Sequence, residues 1–110
     1  MTFYHENLAQ GRWTKLTLSE QMANVGSEIE RTIKWREKNS KFSQMAFERA
    51  LELLDLTATD KKNRLRLKEI LRAREALADY FQFNNLYKST DQKWQNYFYS
   101  FAYAARNKSY

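Results

Sequence analysis

The chain has 110 residues, of which 43% are hydrophobic and 29% charged, with no cysteine, no proline and only two glycines. That length allows one domain with one buried core, and the composition excludes a disordered chain, a disulfide framework, thiolate chemistry and the turn-rich punctuation of an all-β fold. The formal net charge is +6, and no stretch approaches the roughly 20 apolar residues that span a bilayer.

Residues 1–16 form a polar lead-in, expected to be irregular, which contains His5, the sole histidine. It lacks the basic start and apolar run of a secretory signal, so a cytoplasmic protein without membrane contact is expected. The run "TLSE" then has the pattern of a capping box, with Thr17 as N-cap and Glu20 three residues later. Leu18, Met22, Val25, Ile29 and Ile33 follow at helical spacing, which predicts a first helix to about Lys38. A second helix is predicted from near Ser40 to about Leu56, with Phe42, Ala46, Ala50, Leu53 and Leu54 inward. Phe47 and Leu51 widen its stripe, which argues for burial on more than one side.

Asp60 or Thr59 can cap the third helix, whose predicted inward set is Leu67, Ile70, Leu71, Leu77, Ala78 and Phe81. Asn84–Asn85 ends it, and Ser89 with Gln92 can open the fourth. There Trp94, Phe98, Phe101, Ala102 and Ala105 share one face, while Tyr99 and Tyr103 point the other way. Four helices joined by short connections predict an all-α, up-down-up-down four-helix bundle over residues 17–107. The seven Phe, seven Tyr and three Trp are read first as core and oligomer-interface material, with nucleobase stacking as the alternative.

The chemistry of common enzymes is missing. A lone histidine and no cysteine give no nucleophile–base constellation. No Glu-x-x-His repeat or zinc-ligand spacing occurs, and Gly11 and Gly26 stand alone, without a phosphate-cradling loop. Glu48, Glu52 and Asp55 line up on helix two, where a solvated face is the favoured reading over a metal or acid–base site. No enzymatic activity, metal or cofactor is expected.

The charge, by contrast, is concentrated. Residues 61–74 hold seven cations against Glu69 alone, which equals the whole net charge of +6. At helical spacing Lys61, Arg64, Lys68 and Arg72 form one outward stripe. Cations at the start of a helix oppose its macrodipole, so stability alone does not favour this placement. The stripe suits nucleic acid, RNA above all, or an acidic protein; a merely solubilising face is the plain alternative.

Arg74 falls in the middle of the predicted apolar arc of helix three. A permanently charged guanidinium there needs a partner. Gln21, Asn24 and Glu28 on helix one are candidates, with Trp35 in the same row, and a carboxylate makes Glu28 the best of them. A Glu28–Arg74 pair is therefore expected, with Arg49 as a further member, either tying helices together or forming a small-ligand site.

The runs "LSEQMANVGSEIER" with Trp35 after it, "AFERALELLDLT", "RLKEILRAREALADYF" and "FAYAAR" resemble a family of small uncharacterised bacterial helical proteins. The resemblance covers most of the chain from Trp13 to Arg106. That family carries no assigned reaction, so the resemblance implies no catalytic residue. In architecture alone the chain is similar to the four-helix proteins of ribosomal RNA intervening sequences and to the accessory variability determinants of diversity-generating retroelements. Those analogies imply a basic, oligomeric, RNA-engaging bundle. The leading expectation is a non-enzymatic RNA-binding homo-oligomer, and the alternative is a protein–protein adaptor using Tyr99 and Tyr103.

Overall fold

Thr17 and Glu20 satisfy each other's amides at the start of the first helix. The Glu20 N–H donates to Thr17 Oγ1 at 3.1 Å and the Thr17 N–H donates to Glu20 Oε1 at 2.9 Å, a reciprocal box that fixes where the helix begins. Helix α1 runs over Leu18–Trp35. The computed structural model, which describes residues 11–107, continues with α2 (Ser40–Thr59), a 3-10 segment (Lys61–Arg66), α3 (Leu67–Gln82) and α4 (Asp91–Arg106). His5 lies outside the described residues. Among the described residues there is no strand and no helix long and apolar enough to cross a membrane.

Cross-links at opposite ends of each helix pair show that neighbours run antiparallel. Ser43 Oγ donates to the Thr32 carbonyl at 2.7 Å near one end of α1–α2, and Glu28 and Arg49 face each other further along. Phe47 meets Phe81, and Asp55 meets Arg74, between α2 and α3. Tyr80 bonds Asp91 and Tyr97 bonds Glu69 between α3 and α4. Arg36, just past α1, reaches Asp91 at the start of α4. The result is an up-down-up-down four-helix bundle in which α1 packs closely on α2 and α4, while α3 packs on α2.

Met22, Val25, Ile29, Phe47, Leu54, Ile70 and Leu77 are almost wholly buried in the core, and α4 closes it with Trp94 and Phe98. Burying each such side chain contributes about 1.5–3 kcal/mol. Gly26 sets the α1–α4 distance: a Cβ on it would lie 2.7 Å from Phe98 Cβ. Four apolar residues sit differently from what the periodicity predicts. Trp13, in the supposed lead-in, is buried and carried by a short 3-10 turn, Trp13–Lys15. Phe42 is half exposed, since it lies at the open end of α2 and meets Trp35 edge-on at 5.6 Å. Leu67 and Leu71 sit on the rim of α3, because its buried face centres on Ile70, Ala73 and Leu77.

The connections also differ. Asp60 is the cap, but it opens a 3-10 segment and not the α-helix itself, because Asn63 turns inward to bond Gln21 and the Thr57 carbonyl. Thr90, not Ser89, caps α4, accepting from the Lys93 N–H at 3.1 Å. Ser89 is held in the preceding loop, where its N–H donates to Asn85 Oδ1 and its carbonyl accepts from Asn85 Nδ2. Within this loop Asn85 and Lys88 adopt left-handed backbone, φ 54° and 55°. Asparagine tolerates that region, whereas for lysine it costs roughly 1–2 kcal/mol. The buried Asp79 carboxylate offsets the cost by accepting the Leu86 and Tyr87 N–H groups at 2.8 and 3.0 Å.

Candidate nucleic-acid interface

Lys61 and Arg64 stand three residues apart on the 3-10 segment, where a threefold turn aligns them. Lys68 and Arg72 continue on α3 one α-turn apart. All four are exposed, and none is hydrogen-bonded or ion-paired through its side chain to another described residue. The cations between them behave differently. Lys62 is held by Asp60 at 2.5 Å, Arg66 by Glu69 at 2.7 Å, and Arg74 by Asp55 at 2.7 Å. The stripe spans roughly 20 Å by helical rise. A shallow groove beside it is lined by Lys15, Leu16, Lys62 and Arg66, so the basic surface extends onto the end of the bundle.

A buried polar knot anchors the first half of this stripe. Gln21, fully buried on α1, donates from Nε2 to the Trp13 carbonyl and to Asp60 Oδ2, both at 2.9 Å. Its Oε1 accepts from Asn63 Nδ2 at 2.8 Å, and the same amide donates to the Thr57 carbonyl at 3.0 Å. Trp13 Nε1 donates to Thr57 Oγ1 at 3.2 Å. Four chain segments thus share one buried network, in which the Gln21 and Asn63 amides and the Asp60 carboxylate satisfy one another. Periodicity gave no sign of it, although Gln21 beside an apolar stripe and Asn63 between basic residues were its only visible traces.

The expected Glu28–Arg74 pair does not form. Arg74 makes a two-pronged contact with Asp55, Nε to Oδ1 at 2.7 Å and Nη2 to Oδ2 at 3.3 Å. Glu28 instead meets Arg31 at 3.0 Å and Arg49 at 3.6 Å. The reason is the order of the helices: α3 lies against α2 and diagonally from α1, so α2 intervenes. Nor is Arg74 central in the core, since the buried face turns towards Ala73 and leaves the Arg74 side chain 36% exposed at its edge. Of the proposed trio only Glu28 and Arg49 come together. The carboxylate row is solvated only in part: Glu48 is exposed and accepts from Gln44 at 3.2 Å, Asp55 is part-exposed and paired with Arg74, and Glu52 is buried.

Tyr99 and Tyr103 do point outward, their rings 6.4 Å apart. Beside Tyr99 a groove of about 270 Å³ runs between α1 and α4, floored by Ala23, Gly26 and Ser27. Among the described residues no group of three or more His, Cys, Asp or Glu side chains is arranged to hold a metal ion.

Two carboxylates report on the bundle's ends. Burial pushes the Asp60 carboxyl up, but hydrogen bonds from Lys62 and Gln21 outweigh it and hold the group below its usual value. The Arg36 bond at 2.6 Å holds Asp91 down against burial, with the Tyr80 hydroxyl adding a second bond at 2.6 Å. Both folded values are depressed, so the stability they confer is complete above the unfolded carboxyl value of about 3.9 and is lost progressively as pH falls from there through the lower folded values. Urea unfolding midpoints are therefore expected to drop steeply below about pH 4, and less steeply in an Asp91→Asn variant. An identical acid slope in the variant would contradict the Asp91 assignment.

Comparison of the chain with protein-family models, with curated proteins and with solved structures finds no match.

Proposed function

We propose that this bundle is a non-enzymatic nucleic-acid-binding module, with structured RNA as its favoured ligand. Lys61, Arg64, Lys68 and Arg72 contact phosphates without reading sequence. The observation that carries this reading is the difference between cations held by carboxylates and cations that have no such partner among the described residues. Within one segment that holds the whole net charge, the inward and flanking cations are neutralised by carboxylates, while the outward four are left exposed. A face evolved only for solubility does not require such cations at a helix start, where the macrodipole opposes them.

Four phosphate contacts predict a slope of log affinity against log salt of about −3 to −4. Binding of a hairpin RNA, followed by fluorescence anisotropy between 50 and 200 mM salt, is expected to weaken by roughly a hundredfold. The triple variant Lys61→Glu, Arg64→Glu, Lys68→Glu is expected to abolish most of the affinity and flatten the slope to about −1. Absence of binding at low salt would refute the reading and favour an acidic protein partner.

A second reading is supported by the α4 surface. Tyr99 and Tyr103 are exposed beside the small-residue groove, which suits a protein contact, either an adaptor role or self-association.

A further inference from the structure

The basic stripe does not end on open surface. Arg72, its last member, lies one turn before Glu75, whose Oε2 accepts from the Tyr87 hydroxyl at 3.0 Å. Residues three apart on a helix are surface neighbours, so Arg72 and the Glu75-bound Tyr87 ring stand on adjoining parts of the α3 surface. Beyond them the loop that follows α3 borders an open cleft of about 510 Å³ with an apolar lining of Ala78, Phe83, Leu86 and Tyr87. Its charged lining is already engaged: Arg74 by Asp55, Asp79 by the Leu86 and Tyr87 N–H groups, and Glu75 by the Tyr87 hydroxyl. Phe83, Leu86 and Tyr87 are 72%, 78% and 57% exposed.

A domain this small gains by burying its aromatic rings, yet here three large apolar side chains are held outward. The backbone is committed to keeping them there. Asp79, buried at 7% exposure, is occupied by the Leu86 and Tyr87 N–H groups, and left-handed residues stand at 85 and 88. Backbone strain maintained under exposed rings is a feature of ligand sites more than of plain connectors. A strand lying along Lys68 and Arg72 towards the end of α3 would run on to the turn where Glu75 holds Tyr87, and every base has a face that stacks on an aromatic side chain.

We infer that the cleft formed by Phe83, Leu86 and Tyr87 receives an unpaired nucleobase from a strand whose phosphates lie on Lys68 and Arg72. The inference rests on the proposed nucleic-acid reading and sharpens it: the ligand carries a single-stranded segment, such as a loop, bulge or end. Tyr87 and Phe83 supply the stacking surface, Leu86 closes one side, and the stripe supplies charge.

The test compares a 20-nucleotide oligouridine with a blunt 20-base-pair RNA duplex in anisotropy titrations. The double variant Phe83→Ala, Tyr87→Ala is expected to bind the single strand at least tenfold more weakly, with an unchanged salt slope and unchanged duplex affinity. Tyr87→Phe, which keeps the ring, is expected to restore single-strand binding when Phe83 is intact. Because these side chains lie outside the core, circular dichroism of the variants should match the parent. Ultraviolet crosslinking of 4-thiouridine-substituted strand to the unmodified protein should map to residues 83–87. If the double variant binds both RNAs as the parent does, the base platform is overturned while the stripe stands, and the loop is a protein contact. If the parent binds neither RNA at low salt, the stripe reading and this inference fall together.

Discussion

Gln21→Met is expected to lower the free energy of unfolding by about 3 kcal/mol, although methionine has nearly the same length and occupies nearly the same space. Packing therefore contributes little to the loss. The loss comes from what the amide leaves behind: the Trp13 carbonyl and Asp60 Oδ2 lose a donor, and the Asn63 amide loses an acceptor, all in a buried setting. Leaving a buried polar group unsatisfied costs about 1–3 kcal/mol, and more where charge is involved. The sum is held down because Asp60 keeps Lys62 and Asn63 keeps the Thr57 carbonyl. Domains of this size are stable by about 5–15 kcal/mol in all, so a variant short of 3 kcal/mol is visibly weakened. Denaturant titration followed by tryptophan fluorescence measures the change, and a loss under about 1 kcal/mol would show that the knot is not a cooperative unit. The same substitution is expected to reduce affinity for hairpin RNA while removing no cation, since the knot holds the segment that presents Lys61 and Arg64.

Gly26→Val is expected to destabilise by about 3 kcal/mol through an opposite mechanism, excess volume. The glycine is buried on α1 with ordinary helical backbone, so no conformational freedom is required there. What is required is space. A Cβ at this position would stand 2.7 Å from Phe98 Cβ and 3.0 Å from its Cγ. Those atoms are close to the α4 backbone and cannot swing aside as the tip of a long side chain could, so α4 itself must move. Gly26→Ala is the instructive companion. Alanine gains about 1 kcal/mol of helix propensity over glycine, which offsets part of an overpacking cost of about 1–3 kcal/mol. Its net effect is expected to be small and destabilising. Thermal unfolding of the pair separates propensity from contact, and equal stability of the valine variant and the parent would mean that α1 and α4 do not approach so closely.

Both predictions concern contacts that no single segment of sequence announces. The helices themselves are legible. Thr17 and Glu20 declare a start, Met22, Val25 and Ile29 declare a buried face, and the outward placement of Tyr99 and Tyr103 follows from Trp94 and Phe98 pointing in. The candidate stripe is also legible, because charge is additive along the chain and Lys61–Arg72 needs only a rough phase to point outward. The small shift at α3, from an arc centred on Arg74 to one centred on Ala73, shows the limit of that phase. Leu67, Leu71 and Phe81 define a wide apolar arc, and the sequence cannot say which edge of it the neighbouring helix covers.

Partner choice lies beyond periodicity altogether. Glu28 and Asp55 are both carboxylates suited to Arg74, and only the order of packing, with α2 between α1 and α3, awards the guanidinium to Asp55. The loop residues follow the same logic: Ser89 and Thr90 are equal as caps until Asn85 takes the serine's backbone groups. By itself the sequence determined the all-α class, the first cap, most inward faces and where the net charge resides, since each of these is a property of residues near one another in the chain. Only the tertiary structure decided the burial of Trp13, the polar knot, the Arg74–Asp55 pair and the exposed aromatic cleft beside the stripe. Each of those is fixed by which segments meet in space, and a helix's own 3.6-residue repeat carries no record of its neighbour.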